Sequence, residues 1–208
     1  IRPDMEIHYT TDGSEPTATS PLYEKIVPVK EALTLKGATF AHGRQMGKTL
    51  ILPVRWNLAT AKPVLGTNPT EKLLTNGIRG SLKYSDFEWC SWADNDSVSF
   101  TIDLLKPEML NTLILGCITN NGMAIHKPAS VRVEVSDDNS KFREAVVQSF
   151  TSEEIFREGN FIENLSLKLG GTQARYVRVT AKGPGVCPAS HVRPGPVSYT
   201  HLTLPTIA

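Results

Sequence analysis

The chain has 208 residues, 40% of them hydrophobic, with 22 basic and 21 acidic side chains and a formal net charge of +1. That length suits one large domain or two small ones with a real core, and the charge balance excludes the electrostatic footprint of a nucleic-acid or anionic-membrane binder. The basic residues are scattered, without a stripe that would track phosphates, and no stretch of about 18 apolar residues is present to span a bilayer.

In chain order the pattern is β almost throughout. The chain opens at Ile1 without an initiator Met, and residues 6–10 already read as a strand, so an internal start is expected, with any export signal upstream. Residues 34–40 and 49–54 are the next two strands, separated from the first by the turn-rich segment 11–21. A boundary falls near Trp56. Residues 59–71, with Pro63, Gly66 and Pro69, read as the lead-in to a second, larger domain. There Val98, Phe100, Ile102 and Leu104 alternate with polar neighbours, as do Val131, Val133 and Val135, then Leu165, Leu167 and Leu169, then Val177 and Val179. Period-two alternation with one apolar face is the requirement of an antiparallel sheet covered on one side, and several such strands argue for a sandwich. Helix is expected only as a short turn near 152–157, where Thr151 and Glu154 form a capping box and Gly159 ends it. The end, PVSYTHLTLPTIA, carries no charge and little usable alternation, and it is similar to translated sequencing-adapter sequence. Residues 196–208 are therefore expected to be a non-native tail, and the sandwich to lack its last strand.

The three cysteines, Cys90, Cys117 and Cys187, show no CxxC or Cys/His ligand spacing in this reading. Cys117 lies in an apolar run and reads as core. Cys90 and Cys187 fall in loop-like segments, where pairing with each other is one alternative.

Two segments carry a resemblance. Tyr9-Thr10-Thr11-Asp12-Gly13-Ser14-Glu15-Pro16-Thr17, followed by Pro21-Leu22-Tyr23, resembles the small β-domain that follows the catalytic barrel of bacterial β-N-acetylhexosaminidases, the chitobiase C-terminal type. The residues suit the pattern: Asp12-Gly13 favours a turn with positive φ at the glycine, and Glu15-Pro16 favours an extended path. Further on, Leu74-Thr75-Asn76-Gly77-Ile78-Arg79-Gly80, Trp89, Ile102-Asp103-Leu104, Lys127-Pro128, Ser136-Asp137-Asp138 and Ala174-Arg175-Tyr176-Val177-Arg178-Val179 resemble a discoidin-like, coagulation-factor type C domain, and Gly185-Val186-Cys187-Pro188 with His191 is like the loop before its last strand. The resemblance implies an all-β chain: residues 1–55 a small β-sandwich-like domain, 56–195 a galactose-binding-like jelly-roll sandwich, and 196–208 the tail. It further implies the accessory region of a secreted, extracytoplasmic β-N-acetylhexosaminidase, with the catalytic domain upstream in cis.

Glycoside hydrolysis needs paired carboxyl groups across a pocket, or one with a substrate acetamide. The family's adjacent Asp-Glu pair does not occur in this chain. Glu153-Glu154 reads as a solvated turn, Asp137-Asp138-Asn139 as a hairpin turn and Asp94-Asn95-Asp96 as a loop. No GxSxG, HExxH or Walker-type loop is present. No catalysis and no cofactor is expected of this chain.

Sugar recognition uses an aromatic face and a few planar polar groups, and loops at one end of a sandwich supply them. The candidates are Tyr84, Phe87, Trp89 and Trp92 in one loop, Asn120, Asn121 and His126 in a second, and His191 and Arg193 in a third. The competing readings make Trp89 a core anchor, Trp92 equally a core residue, Asn120-Asn121-Gly122 a tight turn and His126 a plain loop residue. The resemblance also implies a structural calcium near residues 74–80, with Asn76 as a ligand; the apparent loss of the closing strand argues against it. The expected partners are glycans ending in galactose or N-acetylhexosamine. The alternative is a structural spacer that binds nothing. A third reading, an adhesion module with Met123, Ala124 and Ile125 as apolar spikes, has less in its favour.

Overall fold

The computed structural model describes residues 4–66, 70–86, 88–93, 97–197 and 199–208, so Pro69, Phe87 and Asp94-Asn95-Asp96 lie outside the described residues. It divides into two compact units, Ile1–Trp56 and Asn57–Ala208. Among the described residues no helix is long and apolar enough to cross a membrane.

In the smaller unit β1 (Glu6–Thr10) and β4 (Leu50–Val54) both pair antiparallel with β2 (Leu33–Ala41). The chain then reverses through His42-Gly43, both at positive φ, to lay β3 (Arg44–Gln45) on the end of β2. Two consecutive positive-φ residues suit a tight hairpin. The result is one four-stranded sheet, a single layer where the sequence reading has a sandwich-like domain. The Asp12-Gly13 turn forms as expected, with Gly13 at φ +81° and the Asp12 carboxylate accepting from Ser14 N–H at 3.0 Å. Glu15 then reaches two elements, accepting from Lys36 on β2 and from Thr49 Oγ1 just before β4. The distinctive motif is therefore the clip that holds the long 11–32 connection onto the sheet.

The larger unit is built on two long antiparallel strands, β7 (Ser97–Asn120) and β10 (Asn160–Lys182). Around them lie β5 (Val64–Leu65), β6 (Cys90–Ala93), β8 (Ser130–Ser136), β9 (Arg143–Ser149) and β13 (Tyr199–Ile207). The sheet order is β6-β13-β7-β10-β8-β9, with β5 added to β7, and β11 (Val186–Cys187) pairs separately with β12 (Gly195–Pro196). Each long strand contains two of the segments that the sequence separates. The pairing slips between Lys168 and Thr172 and again between Ala174 and Tyr176. Leu105, Gly170 and Gly171 all take positive φ at this level. Such irregularities bend strands, and the two halves fold over one core. Phe100, Ile102 and Leu104 before the bend share a cluster with Leu113, Leu115, Leu165 and Leu167 beyond it. The all-β sandwich is thus as expected, but with bends where the sequence suggests turns.

At the bend Arg175 grips Asp103 with both arms, Nε to Oδ1 at 2.8 Å and Nη2 to Oδ2 at 2.9 Å. Asp103 Oδ1 also accepts from Leu105 N–H at 2.8 Å, which secures the positive-φ residue. The short helix α1 (Ser152–Ile155) has the expected capping box, Thr151 Oγ1 accepting from Glu154 N–H and Glu154 accepting from Thr151 N–H.

A strand occupies the closing position, and the segment expected to be a tail forms it. Tyr199–Ile207 lies between β6 and β7, with Leu202 paired to Cys90 on one side and Cys117 on the other. Leu202 and Ile207 are fully buried in the main core, and Thr203 Oγ1 accepts from Gly80 N–H at 2.9 Å.

Two predictions follow from this packing. Leu202→Ala in the full chain should lower the unfolding free energy by about 2–5 kcal/mol in urea titration; a change within about 0.5 kcal/mol would mean that β13 does not belong to the core. Hydrogen bonds from Arg175 hold the Asp103 carboxyl below the usual carboxylate range. A depressed folded pKa adds stability above the unfolded value of about 4, and this is lost as pH falls through the lower folded value. The denaturation midpoint of Asp103→Asn should therefore lie below wild type at neutral pH, and the gap should narrow as pH falls below the unfolded carboxylate value. A gap independent of pH would contradict the ion pair.

Candidate functional site

The loop after β7 is closed by its own side chains. Asn120 Oδ1 accepts from Met123 N–H at 3.1 Å, and Ala124 at φ +51° ends the 3₁₀ turn Asn121–Met123. Reciprocal backbone bonds between Asn120 and Ile125 complete it. Asn120 therefore belongs to the turn, while Asn121 is half-buried beside it. The next residue, His126, is fully buried. Its Nδ1 lies 3.2 Å from Ile155 O at the end of α1, its Nε2 lies 3.1 Å from His191 Nε2, and the Phe156 ring packs against it at 5.0 Å. Burial, with the neighbouring His191 adding to it, pulls the His126 pKa down to about 4, so it is neutral at pH 7.

The third predicted loop meets the second. Gly185 at φ +80° turns the chain into the β11–β12 pair, and His191 N–H donates to Pro188 O at 2.9 Å. Arg193 Nη1 then donates across to Gly122 O at 3.3 Å. Between the loops is a cavity of about 70 Å³ lined by Asn121, Phe156, Glu158, Pro188, His191 and Val192. The structure thus brings together Asn121, His126, His191 and Arg193, and adds Phe156, which α1 delivers and the sequence reading omits.

The aromatic loop is placed differently. Trp92 stacks on Phe100 at 6.2 Å and 12° inside the main core and is 8% exposed. Trp89 packs on Ile118 and Ile125 and donates from Nε1 to Ser81 O at 3.0 Å. Gly80 permits this, since a Cβ there would come within 2.3 Å of the ring. Tyr84 is half-buried and meets His201 edge-on at 6.2 Å. For both tryptophans the core alternative describes the geometry, and neither presents a ring face to solvent. The loop still abuts the site, because Trp89, Ile125, Tyr84 and Met123 pack in one cluster.

One carboxylate in each of two acidic runs serves local structure. Glu154 caps α1, and Asp138 Oδ1 accepts from Ser140 and Lys141 N–H at 2.9 Å, which drives its pKa well below the carboxylate range. Lys127 is buried against Glu163 at 3.2 Å and over the Phe150 ring at 4.4 Å. Asn76 Oδ1 accepts from Ile78 N–H at 2.8 Å and its Nδ2 donates to Glu88 at 2.7 Å, so protein groups orient the turn.

The cysteine readings also change. All three are free thiols, so Cys90 and Cys187 are not paired. Cys90 contacts Thr70 Oγ1 at 3.2 Å, and burial pushes its thiol up to about 12. Cys187 instead sits beside His126 and His191, with all three donor atoms within 4.8 Å of one another. Contrary to the sequence reading, a ligand spacing is present: Cys187 and His191 are separated by three residues in one loop. His126 lies 65 residues from His191, and no local pattern announces it.

Comparisons with known proteins agree with this architecture. The model for the chitobiase/beta-hexosaminidase C-terminal domain matches residues 1–50, and that for the F5/8 type C domain matches residues 59–192. A search of curated proteins found no match. Among solved structures, the lectin domain of lectinolysin complexed with Lewis B antigen has a TM-score of 0.50 at 16% identity, covering 74% of this chain and 96% of that one. CpGH89CBM32-6 produced by Clostridium perfringens has a TM-score of 0.48 at 18% identity, covering 74% and 98%. The Streptococcus pneumoniae fucose binding module SpX-3 has a TM-score of 0.45 at 17% identity, covering 74% and 97%. At 16% identity the likeness to the lectinolysin domain is one of fold. The F5/8 type C model covers more than half of the residues, and the chain belongs to the F5/8 type C domain family, preceded by a segment that matches the chitobiase/hexosaminidase C-terminal domain.

Proposed function

We propose that the larger unit is a non-catalytic carbohydrate-binding module, and that it takes a glycan terminus at the loop end where Asn121, Phe156, His191 and Arg193 converge. The observation that carries this reading is the cavity between the two clasped loops. It combines one aromatic wall with an amide and an imidazole, and the Arg193 guanidinium reaches the neighbouring Gly122 O, the mixture that suits a sugar's apolar face and its hydroxyls. The lectinolysin lectin domain, which shares the fold, is described in complex with Lewis B antigen. A terminal galactose or N-acetylhexosamine is the ligand we favour. The smaller unit's match supports a place beside a β-N-acetylhexosaminidase catalytic domain in cis, in an extracytoplasmic enzyme.

A second reading, a structural spacer without ligand, is favoured by one specific observation: both candidate tryptophans are buried. A glycan array of the full chain separates the two. Selective retention of galactose- or N-acetylhexosamine-terminated glycans, weakened about tenfold or more by Arg193→Ala or Asn121→Ala, is expected. A folded chain that retains no glycan supports the spacer.

A further inference from the structure

The imidazoles of His126 and His191 face each other at 3.1 Å with the Cys187 thiol beside them, an arrangement that sugar binding does not require. We propose that His126, Cys187 and His191 form a three-ligand site for a borderline-soft divalent metal ion of the zinc class. This rests on the side-chain cluster itself and not on the glycan reading.

The geometry is close to what such an ion needs. Bonds of about 2.0–2.1 Å to nitrogen and about 2.3 Å to sulfur place tetrahedral donors roughly 3.3–3.6 Å apart. The two Nε2 atoms are just inside that spacing, and all three donors lie within 4.8 Å, so small side-chain rotations close the set. The donor chemistry is selective: two imidazoles and a thiolate suit zinc or cobalt and not calcium or magnesium.

The outer contacts orient the ligands. Nδ1 of His126 donates to Ile155 O at 3.2 Å, leaving Nε2 with its lone pair free. His191 Nδ1 has two alternatives at 3.0 Å, accepting from Arg193 N–H or donating to Arg193 O. In the first, His191 Nε2–H donates to His126 Nε2, which explains the short contact without a metal. In the second, both Nδ1–H groups rest on backbone carbonyls and both Nε2 lone pairs face inward, the tautomers that a metal takes. A shift of one imidazole proton thus converts the hydrogen-bonded pair into a ligand pair. Binding forms one bond from each Nε2 and one from Sγ, and the thiol proton leaves to solvent.

The surroundings suit a fixed, partly dry site. His126 and Cys187 are buried, His191 is half-buried, and Phe156 contacts both imidazoles at 5.0 and 6.3 Å. The adjoining cavity begins at His191 and holds Glu158, leaving room for a water as fourth ligand and a carboxylate to offset the charge. The ion would tie the 183–193 loop to the start of the β8 segment.

The test is cobalt(II) titration of the reduced, metal-stripped full chain, read by visible absorption without any glycan. We expect one equivalent to bind, with a thiolate-to-cobalt charge-transfer band and tetrahedral d–d bands, displaced by zinc. Cys187→Ser should abolish the charge-transfer band, and His191→Ala, at a half-buried position, should weaken binding about tenfold or more. Each variant is first checked for a wild-type circular dichroism spectrum. No saturable thiolate band in the wild-type chain, or a band that survives Cys187→Ser, overturns the site.

Discussion

The larger unit depends on one bidentate ion pair. Asp103 on β7 and Arg175 on β10 meet where both long strands change direction, and the same carboxylate holds Leu105 in its positive-φ conformation. An arginine fork on a carboxylate fixes both distance and plane, which a lysine would not. With this point secured, the strand halves on either side close over Phe100, Leu115, Leu167 and Val179 as one core. Register then follows from the period-two burial of each half, because a one-residue slip would turn every buried side chain outward.

That framework decides which side chains are available for recognition. The far ends of β7 and β10 deliver Asn121 and the segment after Lys182 to the same end of the sandwich, where Arg193 clasps Gly122 O. The same packing withdraws the tryptophans. Trp92 fills the core over Phe100, and Trp89 fits only because residue 80 is glycine. The cavity at this end is therefore lined by Phe156 and polar groups, not by the tryptophans that the aromatic count in the sequence suggests.

Much of the fold was legible in residue pattern. The alternation at Val98–Leu104, Val131–Val135 and Val177–Val179 reports which face each strand buries, and all of those apolar positions are in the core. The capping box at Thr151 and Glu154 and the Asp12-Gly13 turn are local, and local chemistry was enough to place them. Three things were not legible, each because it is non-local. Gly170-Gly171 looks the same whether it ends a strand or bends one, since only the partner register distinguishes the two. The 199–207 segment shows little alternation, and its place between β6 and β7 depends on partners more than 80 residues away in the chain. The His126–His191 contact spans 65 residues, so the short Cys187–His191 spacing gains meaning only when β7 and β10 have been paired.

The central claim is that the clasped loops form one glycan surface. The most direct measurement is a backbone amide NMR titration of the full chain with a galactose- or N-acetylhexosamine-terminated oligosaccharide. The account predicts shifts concentrated in residues 119–126, 156–158 and 183–193, with the strand faces and the smaller unit unchanged. Shifts centred on the smaller unit or on the outer strand faces, or a spectrum that does not respond at all, would contradict it.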